Sequence, residues 1–271
     1  MSRLPWHEQA AVWLAPSQAG LALRRRGWGR PVEGHHQAVA APDGADGADG
    51  AGAALQALAE LEKLAVAARP HRARTRIVVS NRFVRTALLP DGRALRGAAE
   101  RQVAAREVLR GIHGDAVDGW DVAVDDAAAP GMPAAALDAA WLQRLRQQAG
   151  LQAVSVRPLL ALAAAHAWPH IAGRHAWLLV TEPDGAMLAR IGTPHGWQSL
   201  RSLPFDAAHG RAALVPWLAR CALLDGLEPA DLPLVHVAWS GMGAAMPAPD
   251  ASLAQAGWQL QPLALAAAHF F

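Results

Sequence analysis

Apolar residues in this chain fall into short runs divided by Gly, Pro and Asp, and the spacing inside each run predicts alternating strands and helices. Residues 13–15 read as a strand, Pro16-Ser17-Gln18-Ala19 as a turn closed by Gly20, and 21–23 as a second strand running into three arginines. The chain therefore opens with a hairpin. Leu55, Leu58, Leu61, Leu64 and Ala65 recur at helical spacing and predict a helix over 55–68, before a short buried strand over 76–80. Segment 81–92 extends through Phe83, Thr86 and Leu88 and stops at Pro90-Asp91-Gly92. A helix over 94–112 and an edge strand in 119–127 follow, and Pro130, Gly131 and Pro133 close this part.

Beyond residue 134 the order is regular. Strand 134–137 leads to helix 139–148, with Asp138 as N-cap and Gly150 as C-cap, then to strand 151–156 and to helix 158–167 opened by Pro158. Pro169 is expected to break that helix. Strand 176–182, the turn Pro183-Asp184-Gly185 and strands 186–192 and 197–205 form a meander, and helix 207–224, strand 232–241 and an extended 258–265 complete the chain. A hairpin followed by αβ layers thus occurs twice. One segment breaks the pattern: 37–54, QAVAAPDGADGADGAGAA, nearly repeats Asp-Gly-Ala and lacks apolar surface, so it reads as a flexible loop.

Composition narrows the class. With 271 residues, 52% apolar and 18% charged, the chain suits one large globular domain or two modest ones, not a disordered protein. It has no charge-free run of about 18 apolar residues, and His7 and Glu8 interrupt the start, so a cytoplasmic protein without a signal peptide is expected. The single cysteine, Cys221 in WLARCALL, excludes an intramolecular disulfide and reads as a small buried hydrophobe. The net charge of +2 rests on arginine, with Lys63 the only lysine. Arginine clusters at 24–30 and 68–76 lack a basic helix with interleaved aromatics, which favours a solvated or partner-facing surface over nucleic acid.

Candidate chemistry is sparse. His166, His170 and His175 are spaced by four and five but have no cysteine or carboxylate beside them, so no metal site is expected. Asp115, Asp118, Asp121, Asp125 and Asp126 sit around the edge strand and read as a solvated rim. Ser240, in AWSGMG, lacks the flanking glycines of a nucleophile elbow. Among the eleven tryptophans, Trp177, Trp217 and Trp239 fall in core-like elements, whereas Trp6, Trp28 and Trp197 are expected at the surface.

The segments RIVVSNRFVRTALLP, AAERQVAAREVL, AAALDAAWLQRLRQQAGLQAVSVRPLLALAAA, WLLVTEPDGAMLARIGTPHGWQSLRSLPF and VHVAWSGMG, in that order, resemble the actin-like ATPase family of pilus and secretion assembly proteins, PilM-like and GspL cytoplasmic-domain-like. The resemblance spans nearly the whole chain. It implies an α/β fold of two actin-like (ribonuclease H-like) lobes with mixed sheets and flanking helices. The first lobe would cover 1–172, with the loop 37–54 and an inserted subdomain at about 83–133, and the second 173–271, joined near 168–175.

It also implies where a nucleotide cleft would lie: Ser17, Gln18 and Gly20 in the first phosphate turn, Asp184 and Gly185 in the second, and Gly241 and Gly243 near the adenosine. The chain departs from the family here. The family carries an aspartate at the end of its first strand; this chain has Leu14-Ala15-Pro16, with no carboxylate and with one backbone donor removed by proline. Asp184 is the remaining carboxylate between the two turns. The cleft is therefore expected to be vestigial, with no catalytic residue, no metal and no cofactor beyond weak ATP binding.

The implied role is a non-catalytic, cytoplasmic scaffold or adaptor of a type IV pilus or type II secretion-like envelope assembly. It would sit at the inner membrane through its partners, the inner-membrane assembly proteins, with a homodimer as a further state. The alternatives are an ATP-binding or ATP-hydrolysing assembly protein and a nucleic-acid-binding module using the arginine clusters.

Overall fold

A computed structural model describes residues 8–26, 31–40, 50–66, 74–91, 94–95, 97–124, 130–148, 152–192, 196–205, 210–241 and 251–265. The opening hairpin is β1 (Glu8–Leu14) and β2 (Gln18–Arg26), joined by the two-residue turn Pro16-Ser17, and it continues into a third strand, β3 (Pro31–Ala40). Helix α1 (Gly50–Val66) follows, and β4 (Arg74–Val79) and, later, β8 (Gln152–Pro158) complete a five-stranded sheet of order β3-β2-β1-β4-β8. β1, β4 and β8 run parallel, while β1, β2 and β3 form an antiparallel meander.

The last third of the chain repeats this wiring. Strands β9 (Ala176–Glu182), β10 (Gly185–Gly192), β11 (Gly196–Pro204), β12 (Pro233–Ala238) and β13 (Gln259–Ala264) form a sheet of order β11-β10-β9-β12-β13. Its first three strands are again an antiparallel meander, and β12 and β13 again add in parallel. Inserted between β4 and β8 of the first sheet is a three-stranded sheet β5-β7-β6, from β5 (Arg85–Asp91), β6 (Trp120–Val124) and β7 (Pro130–Asp138), covered by α2 (Ala98–His113).

Strand alternation divides the core into layers. In β1, Ala10, Val12 and Leu14 face α1 and α3 (Ala139–Gln148), whereas Ala11 and Trp13 face the opposite way. In β9, Trp177 and Leu179 pack with α5 (Leu214–Leu224) and α6 (Ala251–Gln255), whereas Leu178 and Val180 face inward. The inward residues of both sheets meet in one apolar cluster around α4 (Leu159–Ile171), joining Trp13 and Val78 of the first sheet to Val235, Val237 and Trp239 of the second. Both β1 and β9 are central strands buried on two faces, which is why they read as apolar runs and not as alternating ones.

Several expectations are corrected here. Residues 37–40 are the end of β3, paired with β2 from Gln37↔Leu21 to Ala40↔Gln18, and residues 50–54 are the first turn of α1, with Ala54 fully buried. Strand pairing and helix packing override the loop-like composition at both ends of 37–54; residues 41–49 lie outside the described residues. Pro130, Gly131 and Pro133 do not close a unit but begin the central strand β7. The prolines are tolerated because, among the described residues, β6 pairs only with 134–138, so at 130 and 133 β7 pairs with β5 alone and an N–H is dispensable on the other side. Pro169 does not end α4, which runs on to Ile171; it sits in the last turn, where the helix is about to stop. Asp138 does cap α3, its Oδ1 accepting the Trp141 N–H at 2.6 Å, and Gly150 lies outside the described residues. Trp197, expected at the surface, is half-buried against the inner core, and Cys221 is buried as expected.

Candidate functional site

The site is built where the corresponding ends of the two sheets meet. The turn after β1 is held by Ala15 N–H donating to the Gln18 carbonyl at 2.8 Å, which presents Ser17 at its tip. The turn after β9, Pro183-Asp184, has the same position in the second sheet. The two turns bond directly: Ser17 donates from its hydroxyl (2.9 Å) and its backbone N–H (3.4 Å) to Oδ2 of Asp184. The backbone and side chain that would meet a phosphate in the first turn are thus bound to the carboxylate of the second.

The glycine expected near an adenosine is also occupied. Gly241 has φ +105°, and a Cβ there would lie 2.7 Å from both Nε2 and Oε1 of Gln18, so the Gln18 amide packs against its backbone. Deeper in, the rings of Trp13 and Trp239 meet edge to face at 5.7 Å, filling the space between the sheets. Gly20 is buried in β2 opposite Trp13. Gly185 opens β10, where a Cβ would meet the Leu203 carbonyl at 2.8 Å and Cδ of Arg82 at 3.3 Å. Gly243 lies outside the described residues. The structure therefore brings Ser17, Gln18, Asp184 and Gly241 together, as partners of one another.

Two residues not chosen from the sequence lie at the heart of this junction. β4 is followed by Ser80, whose N–H donates to the Leu14 carbonyl at 2.7 Å, and the next residue, Asn81, spans the two sheets. Its backbone N–H donates to Oε1 of Glu182 at 3.1 Å, and its Oδ1 accepts the Leu160 N–H at the start of α4 at 2.9 Å. Glu182 is 1% exposed, and burial, opposed by a hydrogen bond from Ser80 and reinforced by the Asp184 charge, raises its pKa to about 7. Among the described residues, neither Oε2 of Glu182 nor Nδ2 of Asn81 has a hydrogen-bond partner within normal geometry, and both atoms are sealed from solvent. The sequence signal was present: an acidic residue closing the apolar run AWLLV and an amide closing RIVVS are unusual at the ends of buried parallel strands.

The remaining candidates resolve into structural roles. Nδ1 of His170 lies 2.9 Å from Nε2 of Gln261, tying α4 to β13. Asp118 pairs with Arg110 at 2.6 Å and Asp121 approaches Arg146 at 4.0 Å on the exposed rim, while Asp125 and Asp126 lie outside the described residues. Among the described residues, no three His, Cys, Asp or Glu side chains are placed to hold a metal.

Two five-stranded sheets of identical order, each with its meander and parallel extension, facing each other across paired turns, define the actin-like ATPase fold. In particular, the chain is similar to the structure of a PilM–PilN type IV pilus biogenesis complex, at 17% identity and a TM-score of 0.64 over 98% of this chain and 93% of that one. It is similar also to the cytoplasmic domain of EpsL, an inner-membrane component of the Vibrio cholerae type II secretion system, at 14% identity and a TM-score of 0.52 over 95% and 90%. A Bacteroides thetaiotaomicron protein with an actin-like ATPase fold matches at 7% identity and a TM-score of 0.55 over 87% and 85%. No protein-family model matches the sequence, and no curated protein does. Among the described residues no helix is long and apolar enough to cross a membrane.

Proposed function

We propose that this chain is a non-catalytic scaffold or adaptor in an envelope assembly of the type IV pilus or type II secretion kind, held at the inner membrane through its partners. The observation that carries the reading is the Ser17–Asp184 contact: the carboxylate of the second phosphate-side turn is engaged by the first turn. Phosphoryl transfer depends almost wholly on positioning Mg²⁺ and charge around the transferred group. Here the groups that would do so hold each other, and Trp13 and Trp239 fill the space behind them. What remains is a rigid body with a jointly packed core, suited to holding partners in fixed relation. The fold it shares with the PilM and EpsL structures supports assembly proteins as those partners.

Two measurements test this. Purified protein should release no phosphate from ATP above background and should give at most weak, Mg²⁺-independent heat on titration with ATP. Affinity purification from the native cell should recover inner-membrane assembly proteins. Mg²⁺-dependent turnover, or a preparation dominated by nucleic acid, would overturn the reading.

A further inference from the structure

A pocket of about 290 Å³ opens beside the junction, where the turn between β4 and β5, the start of β5 and the end of α2 face strands β10 and β11. None of Ser17, Gln18, Asp184 and Gly241 lines it, so it is separate from the paired turns. Arg82, Arg85, Thr86, His113 and Ser202 line it, and their side chains donate to no other group among the described residues. They come from the turn, β5, α2 and β11, so the three-stranded sheet with its helix and the second five-stranded sheet each supply part of the wall.

The donors are held in place. The turn is fixed by its own hydrogen bonds: Arg82 N–H to Ser80 Oγ at 3.0 Å, Phe83 N–H to the Ser80 carbonyl at 3.1 Å and Val84 N–H to the Asn81 carbonyl at 3.2 Å. Val84, between the two arginines in sequence, is 5% exposed and pins the turn to the core. The Arg82 stem lies along buried Gly185, where a Cβ would come 3.3 Å from its Cδ, and the His113 ring meets Trp120 edge to face at 5.1 Å. Charge then sets the class. Two guanidinium groups, neither in an ion pair among the described residues, stand against a single acid in the lining, Glu182, which is sealed below the pocket and already accepts the Asn81 N–H. An anion is the complement. Guanidinium forks with an imidazole and two hydroxyls suit a phosphoryl group, whose three strong acceptor oxygens spread tetrahedrally, better than a planar carboxylate with two. The volume sits at the small end of ligand pockets, which run from about 300 Å³ upward.

We propose that this pocket binds a phosphate-bearing anion, held by Arg82 and Arg85, with His113, Thr86 and Ser202 completing its hydrogen bonds. Bound there, it bridges the three-stranded sheet and the second five-stranded sheet. The site does not rest on the scaffold reading.

The test is calorimetric titration of the intact protein with inorganic phosphate, pyrophosphate and glycerol 3-phosphate, and with malonate as a dicarboxylate. Flotation with phosphatidylcholine vesicles, with and without phosphatidic acid, adds a lipid source of the same group. A phosphate binds saturably, more weakly as NaCl is raised, and more tightly than malonate. Arg82→Ala and Arg85→Ala, at exposed positions that do not threaten folding, each weaken binding roughly tenfold or more, as expected when a charge-assisted hydrogen bond is lost. Heat from the free anions places the phosphate in solution; flotation only with phosphatidic acid, lost in both variants, places it in a lipid headgroup, and either result supports the site. If no free phosphate gives heat and phosphatidic acid causes no flotation, the proposal is wrong. It is equally overturned if malonate binds as tightly as the phosphates, or if both arginine variants keep the wild-type affinity.

Discussion

Oγ of Ser17 donates a 2.9 Å hydrogen bond to Oδ2 of Asp184, joining residues 167 positions apart across the mouth of the junction between the two five-stranded sheets. The bond is exposed, so its contribution to stability is small even though it decides what the turns can bind. Ser17→Ala should cost about 1 kcal/mol or less. It should not restore Mg²⁺-dependent ATP binding, because Trp13 and Trp239 still occupy the space behind it. Urea unfolding and titration with ATP and Mg²⁺ check both halves.

Trp239→Ala should cost about 3–5 kcal/mol, the range for emptying a large aromatic site in a packed core. Trp239 is 2% exposed and touches Trp13 of the first sheet. A loss below about 1 kcal/mol in chemical denaturation would mean that the sheets do not share a core.

Gly241→Ala should destabilise by about 1–3 kcal/mol, because its φ of +105° strains any side chain. Adding Gln18→Ala should recover only part of this loss: it removes the atoms 2.7 Å from the new Cβ but leaves the backbone strain. Full recovery would show the side-chain contact alone to be responsible.

Glu182 makes stability depend on pH. Its folded pKa of about 7 lies above the ordinary carboxyl value of 4.5, so between these pH values the folded protein binds more protons than the unfolded chain. Stability is greatest below the lower value, falls as pH rises through the window, and levels off above pH 7. A shift of this size corresponds to roughly 3 kcal/mol. Unfolding curves of wild type and Glu182→Gln between pH 5 and 8 should differ in slope, with the variant flatter. Parallel slopes would place the proton elsewhere.

Asp225, at the end of α5, anchors that helix to β10 and β11. Arg201 donates to Oδ1 at 2.5 Å and to Oδ2 at 3.1 Å, Ser199 donates at 2.7 Å, and Arg190 approaches at 3.6 Å. Burial would raise its pKa, but the bonds from Arg201 and Ser199 outweigh burial and hold it below the usual value. Its contribution is therefore present above the unfolded carboxyl pKa and lost as pH falls through the lower folded one. Asp225→Ala should cost about 1–3 kcal/mol at neutral pH, with a smaller difference from wild type in acid, as measured by thermal unfolding.

The meander Ala176 to Pro204, the capped helix α3 and the parallel strands β4, β8 and β12 were legible because each is specified by neighbours in sequence: apolar runs, a cap, a turn dipeptide. β3 was not, since PVEGHHQAVA has no strand-like pattern and becomes a strand only by pairing with β2. Nor was β7, whose prolines look like breakers until the short reach of β6 is known.

For the junction the division is the same. The sequence by itself determined that the first turn has no carboxylate and loses a donor to Pro16, that Asp184 stands alone in the second, and that the order of elements repeats. Only the tertiary structure decided that Ser17 reaches Asp184, that Gln18 covers Gly241, and that Asn81 and Glu182 meet under both turns. Local patterns carry propensity and chemistry, but a contact between residues a hundred or more positions apart is set by how two sheets pack on a shared core. That packing is a property of all their inward side chains at once, and no short stretch encodes it.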